Sequence, residues 1–334
     1  MTTAKKYAHE FKGLAEALGR ANHILLATHE SPDEDGLGAM LAFANYLDAI
    51  GKKYTAYVIG TPPSRLSFLP RFDRLSSVSP AQADALVAFD YGNFARLKLD
   101  AIGAKPSFIA TLDHHPQDTQ KGDVNITDTA FSSTCEIAYH FFKTNGITIT
   151  KDAATCIYTG MVADTGGFIH SNTSSEVFRI AAELKELGAD TELIAKRVLG
   201  FASVGAAAAI GLAFSRLTVD KDTHIMYTWL SSRDLEEKHT EFDDIGMLVS
   251  MMNHIRATNE RVRCVALFKD KNDGMISVSF RSDSEKRFDA GKLVGALGGG
   301  GHQYAAATKM KGTLKEAIAK VLQEAKRKNY TATW

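Results

Sequence analysis

The fold is decided by residues 23–50, which read HILLATHESPDEDGLGAMLAFANYLDAI. The apolar run that opens 23–30 predicts a strand followed by a loop, and the apolar spacing of 36–50 predicts a helix that ends near Gly51. A strand, a polar loop and a helix in this order are typical of a parallel α/β sheet. The acidic loop is therefore expected at the carboxyl end of a strand, where open α/β sheets bind their ligands.

The same alternation extends through the rest of the first half. Apolar runs predict three more strands, at 53–60, 84–92 and 107–115. Helical spacing predicts helices at 133–146, 153–167 and 175–188. The second half is strand-like, with strands predicted at 224–231, 261–270 and 275–283 and a helix at 243–255. We therefore predict an α/β protein with an N-terminal parallel-sheet domain flanked by helices (1–190), a helical linker (191–218) and a smaller α/β C-terminal domain (219–334).

Composition excludes several classes of protein. The 334 residues include 39 basic and 39 acidic side chains and are 45% hydrophobic, which excludes a disordered or collagen-like chain. A net charge of zero also argues against a protein that coats long nucleic acid. The balance is uneven, however, because residues 281–334 carry eleven Lys or Arg against five Asp or Glu, a net charge of +6 that leaves −6 for residues 1–280. A small anionic ligand held at a local site fits this distribution.

The scarcity of cysteines and of long apolar segments predicts the cellular compartment. Three scattered cysteines are too few for a disulfide framework or a zinc finger, which indicates a reducing environment. Residues 1–20 lack the apolar stretch of a signal peptide, and no run approaches the length of a membrane span. We therefore expect a cytoplasmic protein that does not interact with a membrane.

Four clusters of polar residues follow apolar segments and are candidates for a functional site. Each by itself has an ordinary alternative: a solvated turn, a strand terminus, a pair of loop histidines or a glycine-stopped helix end. Together they supply six candidate metal ligands, namely His29, Asp33, Asp35, Asp90, His114 and Asp164. Oxygen and imidazole ligands without a thiolate favour Mn²⁺, Mg²⁺ or Fe²⁺ over structural zinc. Six are too many for one ion with an open position, but they suit two ions that share a carboxylate.

The four clusters resemble the motifs of the DHH phosphoesterase superfamily. They are His-x-x-Pro-Asp-x-Asp at 29–35, an isolated acid at Asp90, the Asp-His-His triplet at 113–115 and Asp-Thr-Gly at 164–166. The segments SFRS (279–282), GGGGH (298–302) and AAA (305–307) resemble the associated substrate-binding domain, DHHA1. The domain order is similar to that of the nanoRNase (NrnA) branch, which includes pAp phosphatases. The sequence departs from the family pattern at two positions: Ala39 stands where many relatives have Ser, and Ala307 stands where they usually have Gly. Neither change removes a proposed metal ligand or phosphate contact, so they concern the subfamily more than the chemistry.

The resemblance implies a role for each matching residue. His29, Asp33 and Asp90 would hold one metal ion, and Asp35, Asp90, His114 and Asp164 the other, with Asp90 bridging. Asp113 would orient the histidines, and His115 would lie beside the scissile phosphate as the catalytic side chain. Substrate phosphate would be bound by Arg281, Ser282, Gly299, Gly300, Gly301 and His302. The expected cofactors are two divalent ions, with Mn²⁺ as the first expectation and Mg²⁺ or Fe²⁺ as alternatives.

These roles predict a hydrolase that acts on short nucleic acids. It would cleave short oligoribonucleotides (nanoRNA and linear dinucleotides) to mononucleotides, and pAp to AMP, with water activated by two metals. The basic C-terminal domain would close over the site and measure substrate length. The alternatives are a RecJ-like single-stranded DNA exonuclease, for which we find no appended OB-like segment, cleavage of polyphosphate or pyrophosphate, and a non-catalytic nucleotide sensor. The expected partners are short single-stranded oligonucleotides or nucleotides and, in a homodimer, a second copy of the chain.

Overall fold

The computed structural model describes residues 3–98, 105–116, 122–200, 203–283, 288–301, 303–327 and 330. The chain forms two compact units, Met1–Gly200 and Phe201–Trp334. The division between them falls inside the segment 191–218, whose assignment as a linker stays a prediction. Both units combine helices with a sheet, which confirms the predicted α/β class.

The first unit is built on a six-stranded parallel sheet. Its strands are β1 (His23–Thr28), β2 (Lys53–Tyr57), β3 (Leu75–Ser76), β4 (Ala85–Phe89), β5 (Phe108–Asp113) and β6 (Val124–Thr127). They lie in the order β3-β2-β1-β4-β5-β6, so the chain reverses direction across the sheet between β1 and β4. Thr28 pairs with Phe89, and Phe89 pairs with Leu112. The residue that follows each of these three therefore emerges at the same edge, at the switch point where such folds bind ligands.

Helices cover this sheet and begin at recognisable caps. They are α1 (Thr3–Lys6), α2 (Ala8–Arg20), α3 (Glu34–Ala49), α4 (Thr134–Thr144), α5 (Lys151–Asp164), α6 (Ser175–Glu186) and α7 (Thr191–Ile194), with a π-helical turn at Ala195–Leu199 and 3₁₀ turns at Ser64–Leu66, Phe72–Arg74 and Phe94–Leu97. The side chains of Asp33, Ser133 and Thr150 accept backbone N–H groups at the starts of α3, α4 and α5. The Asp33 cap explains why α3 begins two residues before the predicted position.

The core of the first unit lies mainly on one face of the sheet. Ile24 and Leu26 of β1 face a large cluster formed with the helices, whereas Leu25 and Ala27 face a smaller cluster on the opposite side. Burial on both faces explains the continuous apolar run of this strand. In the larger cluster, the ring of Phe43 in α3 stacks on the ring of Phe141 in α4, with 4.6 Å between the ring centroids.

The second unit contains a mixed sheet in the order β11-β12-β10-β9-β8-β7, in which only β8 and β9 pair in parallel. The strands are β7 (Thr218–Val219), β8 (Ile225–Ser231), β9 (Cys264–Asp270), β10 (Met275–Arg281), β11 (Gly300–Gly301) and β12 (Ala305–Lys311). The helices are α8 (Val204–Ser215), α9 (Ser232–Glu236), α10 (Leu248–Ala257), α11 (Ala290–Ala296) and α12 (Leu314–Arg327), with a 3₁₀ turn at Phe242–Ile245. The sequence pattern does not predict β12, because its alanines have little strand propensity and its pairing with β10 is what makes it a strand.

Helix α8 belongs to the core of the second unit. Ala206, Ala209 and Ala213 of this helix are buried in a cluster with residues of β8 and α10. Within the described ranges, no single helix is both long and apolar enough to span a membrane; Thr191–Leu199 and Val204–Ser215 meet that test only when taken together. The three cysteines, Cys135, Cys156 and Cys264, are free and buried.

Candidate active site

The loop between β1 and α3 presents His29 and Asp33 to the switch point. Asp33 Oδ1 accepts hydrogen bonds from the backbone N–H groups of Asp35 (3.2 Å) and Gly36 (3.1 Å), which fixes the start of α3. Asp33 Oδ2 remains directed at His29 Nε2, 3.6 Å away. One carboxylate thus caps the helix with one oxygen and contributes to the site with the other.

Asp35 is fully buried and is held by the N-terminus of another helix. Its Oδ2 accepts the backbone N–H of Thr134 at 2.6 Å, and its Oδ1 accepts that of Cys135 at 2.9 Å. These are the first residues of α4, where unpaired N–H groups and the helix dipole stabilise negative charge. Burial nevertheless raises the pKa of Asp35 well above its usual range, and the nearby charges of Asp164 and Asp90 raise this pKa further. A cation would relieve that cost.

Asp90 lies at the centre of the site. It follows β4 with a φ of 49°, in the left-handed region that non-glycine residues rarely adopt outside constrained positions. Its Oδ2 is 3.6 Å from His29 Nε2, and its Oδ1 is 3.7 Å from His114 Nε2. Burial opposes ionisation, but the adjacent imidazoles of His115 and His29 hold the pKa of Asp90 well below its usual range. One oxygen of this ionised carboxylate therefore faces His29, and the other faces both His114 and His115.

The Asp113-His114-His115 segment is organised by its buried acid. Asp113 Oδ2 accepts the backbone N–H of Gly92 at 2.7 Å, and Asp113 Oδ1 lies 2.8 Å from His115 Nδ1. His115 Nδ1 is also 3.2 Å from Asp90 Oδ1. His114 points differently, with Nε2 2.9 Å from Asp164 Oδ2 at the end of α5. The geometry thus places Asp113 as the residue that holds the His115 ring.

All six candidate ligands meet at this one edge of the sheet. Three overlapping groups have ligand atoms within 4.8 Å of one another: His29 with Asp33 and Asp90, Asp35 with His114 and Asp164, and Asp90 with His114 and His115. Burial lowers the pKa of His29, but Asp33 and Asp90 outweigh it and raise that pKa to about 10. In the metal-free protein, imidazolium protons thus offset the clustered carboxylates. The oxygen and imidazole donors fit divalent Mn²⁺, Mg²⁺ or Fe²⁺, which would supply the same compensation.

Several contributors to this site were not found from the sequence. The backbone N–H groups that hold Asp35 come from α4, about a hundred residues along the chain. Arg96, in the 3₁₀ turn Phe94–Leu97, has Nη2 2.8 Å from His29 Nδ1. No motif marks either contact, since both depend on how the strands are ordered. The capping Ser133, by contrast, has a recognisable signal in the Ser-Ser-Thr start of α4.

In the second unit, Arg281 and Ser282 lie at the end of β10. Arg281 Nη1 donates to the carbonyl of Phe280 at 2.9 Å, and burial lowers the pKa of Arg281 from its ordinary value. No carboxylate among the described residues forms a salt bridge with this guanidinium, so it has charge to offer to an anion. The Ser282 side chain is buried, and its hydroxyl donates to the carbonyl of Phe288 at 2.8 Å.

The glycine run has a packing requirement of its own. A Cβ on Gly299 would stand 2.5 Å from Thr308 Cβ, and one on Gly301 would stand 2.5 Å from Ala306 Cα. Gly301 also has a φ of 139°, and with Gly300 it forms β11 against β12. The close approach shown here is to a neighbouring strand, so phosphate binding by Gly299, Gly300 and Gly301 stays a prediction. His302 lies outside the described residues.

Fold and site together define a class: an α/β protein with a parallel sheet and a carboxylate and imidazole cluster at its switch point, followed by a second α/β unit. Residues 23–161 match the DHH family, N-terminal domain, and residues 222–329 match the DHHA1 domain. The chain belongs to the DHH/DHHA1 phosphoesterase family, as its motifs indicated.

Relatives extend over almost the whole chain. The bifunctional oligoribonuclease and PAP phosphatase NrnA of Thermus thermophilus is 29% identical over 95% of this chain and 94% of its own length. The NrnA protein of Bacillus subtilis is 26% identical over 84% of this chain and 87% of its own. Among solved structures, an exopolyphosphatase-related protein from Bacteroides fragilis superposes with a TM-score of 0.85 at 25% identity and 96% coverage of both chains. The exonuclease RecJ bound to manganese shares the fold, with a TM-score of 0.52 at 18% identity and coverage of 97% of this chain and 95% of that one.

Proposed function

We propose that this protein is a two-metal phosphoesterase that hydrolyses short oligoribonucleotides, including linear dinucleotides, to mononucleotides and also converts pAp to AMP. The observation that carries the proposal is the position of Asp90. Its two oxygens face His29 on one side and His114 on the other, each at a distance that leaves room for an ion. A carboxylate placed in this way suits a shared ligand between two cations.

We assign two ligand sets within the first unit. His29, Asp33 and Asp90 would hold one ion, and Asp35, Asp90, His114 and Asp164 the other. When bound, the two ions would supply an activated water and positive charge at the attacking and leaving oxygens of an in-line displacement. Mn²⁺ is our first choice for the native metal, with Mg²⁺ and Fe²⁺ as alternatives that the same ligands accept.

The remaining residues of the cluster would act on the substrate directly or through a neighbour. Asp113 holds Nδ1 of His115, which assigns His115 Nε2 to the substrate phosphate or to the leaving oxygen. Burial of the His115 ring opposes its protonation, but Asp113 and Asp90 together raise the pKa of His115 to about 9, which favours the protonated ring at neutral pH. A protonated imidazole can stabilise developing phosphoryl charge or protonate the leaving group.

The substrate class is supported by charge and by the relatives. The basic second unit contains Arg281, a cation without a salt bridge to any described carboxylate, which we assign with Ser282, Gly299, Gly300, Gly301 and His302 to substrate phosphate. The relatives named oligoribonuclease and PAP phosphatase align over most of the chain. A substrate of a few nucleotides needs only such local anion sites, whereas a long strand needs an extended basic groove with aromatic platforms.

The test uses purified protein with Mn²⁺ and end-labelled ribonucleotides two to ten residues long, alongside pAp and single-stranded DNA of matched lengths. We expect mononucleotide release that is fastest for the shortest RNAs, and AMP from pAp. Asp90→Ala should abolish both activities, while Asp73→Ala, which removes an exposed carboxylate of the same unit, should retain them.

Three outcomes would contradict the proposal. Faster processive degradation of long DNA would favour the RecJ-like alternative. Nucleotide binding without turnover in any metal would favour a sensor. Release of mononucleotides unaffected by Asp90→Ala would place the chemistry elsewhere.

A further inference from the structure

Arg96 is a cation that contacts an imidazole of the metal-ligand cluster. Its Nη2 lies 2.8 Å from His29 Nδ1, and its backbone carbonyl accepts the N–H of Glu30 at 3.0 Å. Its side chain is half-buried and has no salt bridge to a described carboxylate. Lys98, two residues further on, differs in being exposed and paired with Glu30 at 3.5 Å. An arginine without a carboxylate partner at the rim of an acidic site needs an explanation.

The contact between Arg96 and His29 is not a hydrogen bond whenever Nδ1 of that histidine carries a hydrogen. Nδ1 of His29 has two partners, the Glu30 carbonyl at 2.8 Å and the Arg96 guanidinium at 2.8 Å. The carbonyl requires an N–H on Nδ1, and the guanidinium requires a lone pair there, so only one contact can be a hydrogen bond. With Nε2 engaged as a ligand, Nδ1 carries the hydrogen and donates it to Glu30. The Arg96 guanidinium then has no acceptor on this ring.

The position of Arg96 indicates which group could accept its hydrogen bonds in place of His29. A Cβ placed on Gly92 would stand 3.2 Å from Arg96 Nη1 and 3.8 Å from His115 Cδ2, so the guanidinium and the His115 ring flank the same glycine. Gly92 follows Asp90 in the loop after β4 and has a φ of 60°, which keeps this space clear of a side chain. The guanidinium therefore lies on the His29 and His115 side of the site, within reach of a ligand bound there.

We infer that Arg96 binds a non-bridging phosphate oxygen of the substrate next to His115. This inference rests on the proposed function, since it names a further substrate contact in the first unit, besides those assigned to the second. The planar fork of arginine matches two oxygens of a phosphate, which lysine cannot do.

The experiment compares wild type with Arg96→Gln, Arg96→Lys and the matched control Lys98→Gln in the full chain. Binding of AMP, inorganic phosphate and adenosine to Mn²⁺-loaded protein is measured by calorimetry, and Mn²⁺ affinity by the electron paramagnetic resonance of free Mn²⁺. We expect Arg96→Gln to weaken AMP and phosphate binding by about 10- to 100-fold, the range for loss of charge-assisted hydrogen bonds. Arg96→Lys should fall between wild type and Arg96→Gln, and Lys98→Gln should match wild type.

Two results would overturn the inference. Equal AMP affinity in wild type and Arg96→Gln would show that the guanidinium does not contact phosphate. A drop in Mn²⁺ affinity as large as the drop in AMP affinity, or an equal loss of adenosine binding, would show that Arg96 acts through His29 or through the fold. Failure of the proposed function is separable, because AMP binding that depends on Arg96 without turnover of any nucleotide would refute the hydrolase and leave this inference standing.

Discussion

Gly160→Ala is the substitution that most directly links the packing of the first unit to its site. Gly160 lies inside α5, where it faces α3 and α4. A Cβ there would overlap the sulfur of Cys135 and stand 2.7 Å from Asp35 Oδ1 and 2.9 Å from Asp35 Cα. Neither neighbour can retreat easily, because Cys135 is fully buried and Asp35 is held by two backbone N–H groups of α4.

Two opposing contributions, helix propensity and overpacking of the core, determine the change in the free energy of unfolding. Alanine is favoured over glycine inside a helix by about 1 kcal/mol. Overpacking a rigid core costs about 1–3 kcal/mol, and contacts as short as these belong at the upper end of that range. We therefore expect Gly160→Ala to lower the free energy of unfolding of the first unit by about 2 kcal/mol. Gly13→Ala is the matched control, since Gly13 lies inside α2 and its Cβ would meet only Val124 Cγ2 at 3.9 Å; it should stabilise by about 0.5–1 kcal/mol.

The assay must report on the first unit. Both tryptophans, Trp229 and Trp334, lie in the second unit, so tryptophan fluorescence would follow the wrong part of the chain. Urea unfolding followed by circular dichroism, with hydrogen exchange of the α5 amides, is suitable. Adding Cys135→Ala to Gly160→Ala should recover part of the loss, because it removes the sulfur overlap but leaves the contact with Asp35. Stability of Gly160→Ala equal to that of Gly13→Ala would refute the packing argument.

Two further predictions concern charge. Binding of Mn²⁺ should raise the unfolding free energy by about 2.7 kcal/mol for each bound ion when free Mn²⁺ is at a hundred times its dissociation constant. Thermal unfolding should show that chelation reverses this gain, that Asp90→Asn loses most of it and that Asp73→Asn keeps it. An equal gain in Asp90→Asn would remove Asp90 from the metal site. The Arg216 guanidinium donates hydrogen bonds of 2.7 and 2.8 Å to Asp234 and lowers the pKa of this carboxyl group. The ionised Asp234 therefore stabilises the fold above its unfolded pKa of about 4, and this stabilisation is lost as the pH falls below that value. Asp234→Asn should therefore cost about 1.5–3 kcal/mol at pH 7, measured by the fluorescence of Trp229, with a gap from wild type that closes below about pH 4; a constant gap would contradict this sign.

Strands β1, β2, β4, β5 and β8 to β10 and helices α3 to α6 and α10 could be predicted because their signals are local. The apolar run of β1 is continuous because both of its faces are buried, and α3 begins at a capping acid that the sequence displays. Strand β12 has no such local signal. The alanines of β12 form a strand through their pairing with β10, which lies about thirty residues earlier in the chain.

The sequence by itself determined which residues form the candidate site. An acid or a histidine that follows an apolar strand is either a surface residue or a ligand at the edge of the sheet. Four such clusters in one order indicated a protein of the DHH/DHHA1 type. The kinds of donor atom, and with them the divalent metals that we propose, also follow from the residue types alone. These are properties of side chains and of their spacing, which folding does not alter.

The tertiary structure alone decided how those residues are connected. The strand order places β1 beside β4, and that register brings His29 and Asp90 together although some sixty residues separate them. The same order directs the two oxygens of Asp90 at different imidazoles, docks the N-terminus of α4 on Asp35 and sets Arg96 against His29. None of these contacts has a local signal, because each arises from the packing of segments that are distant in the chain and are brought together by burial of the sheet.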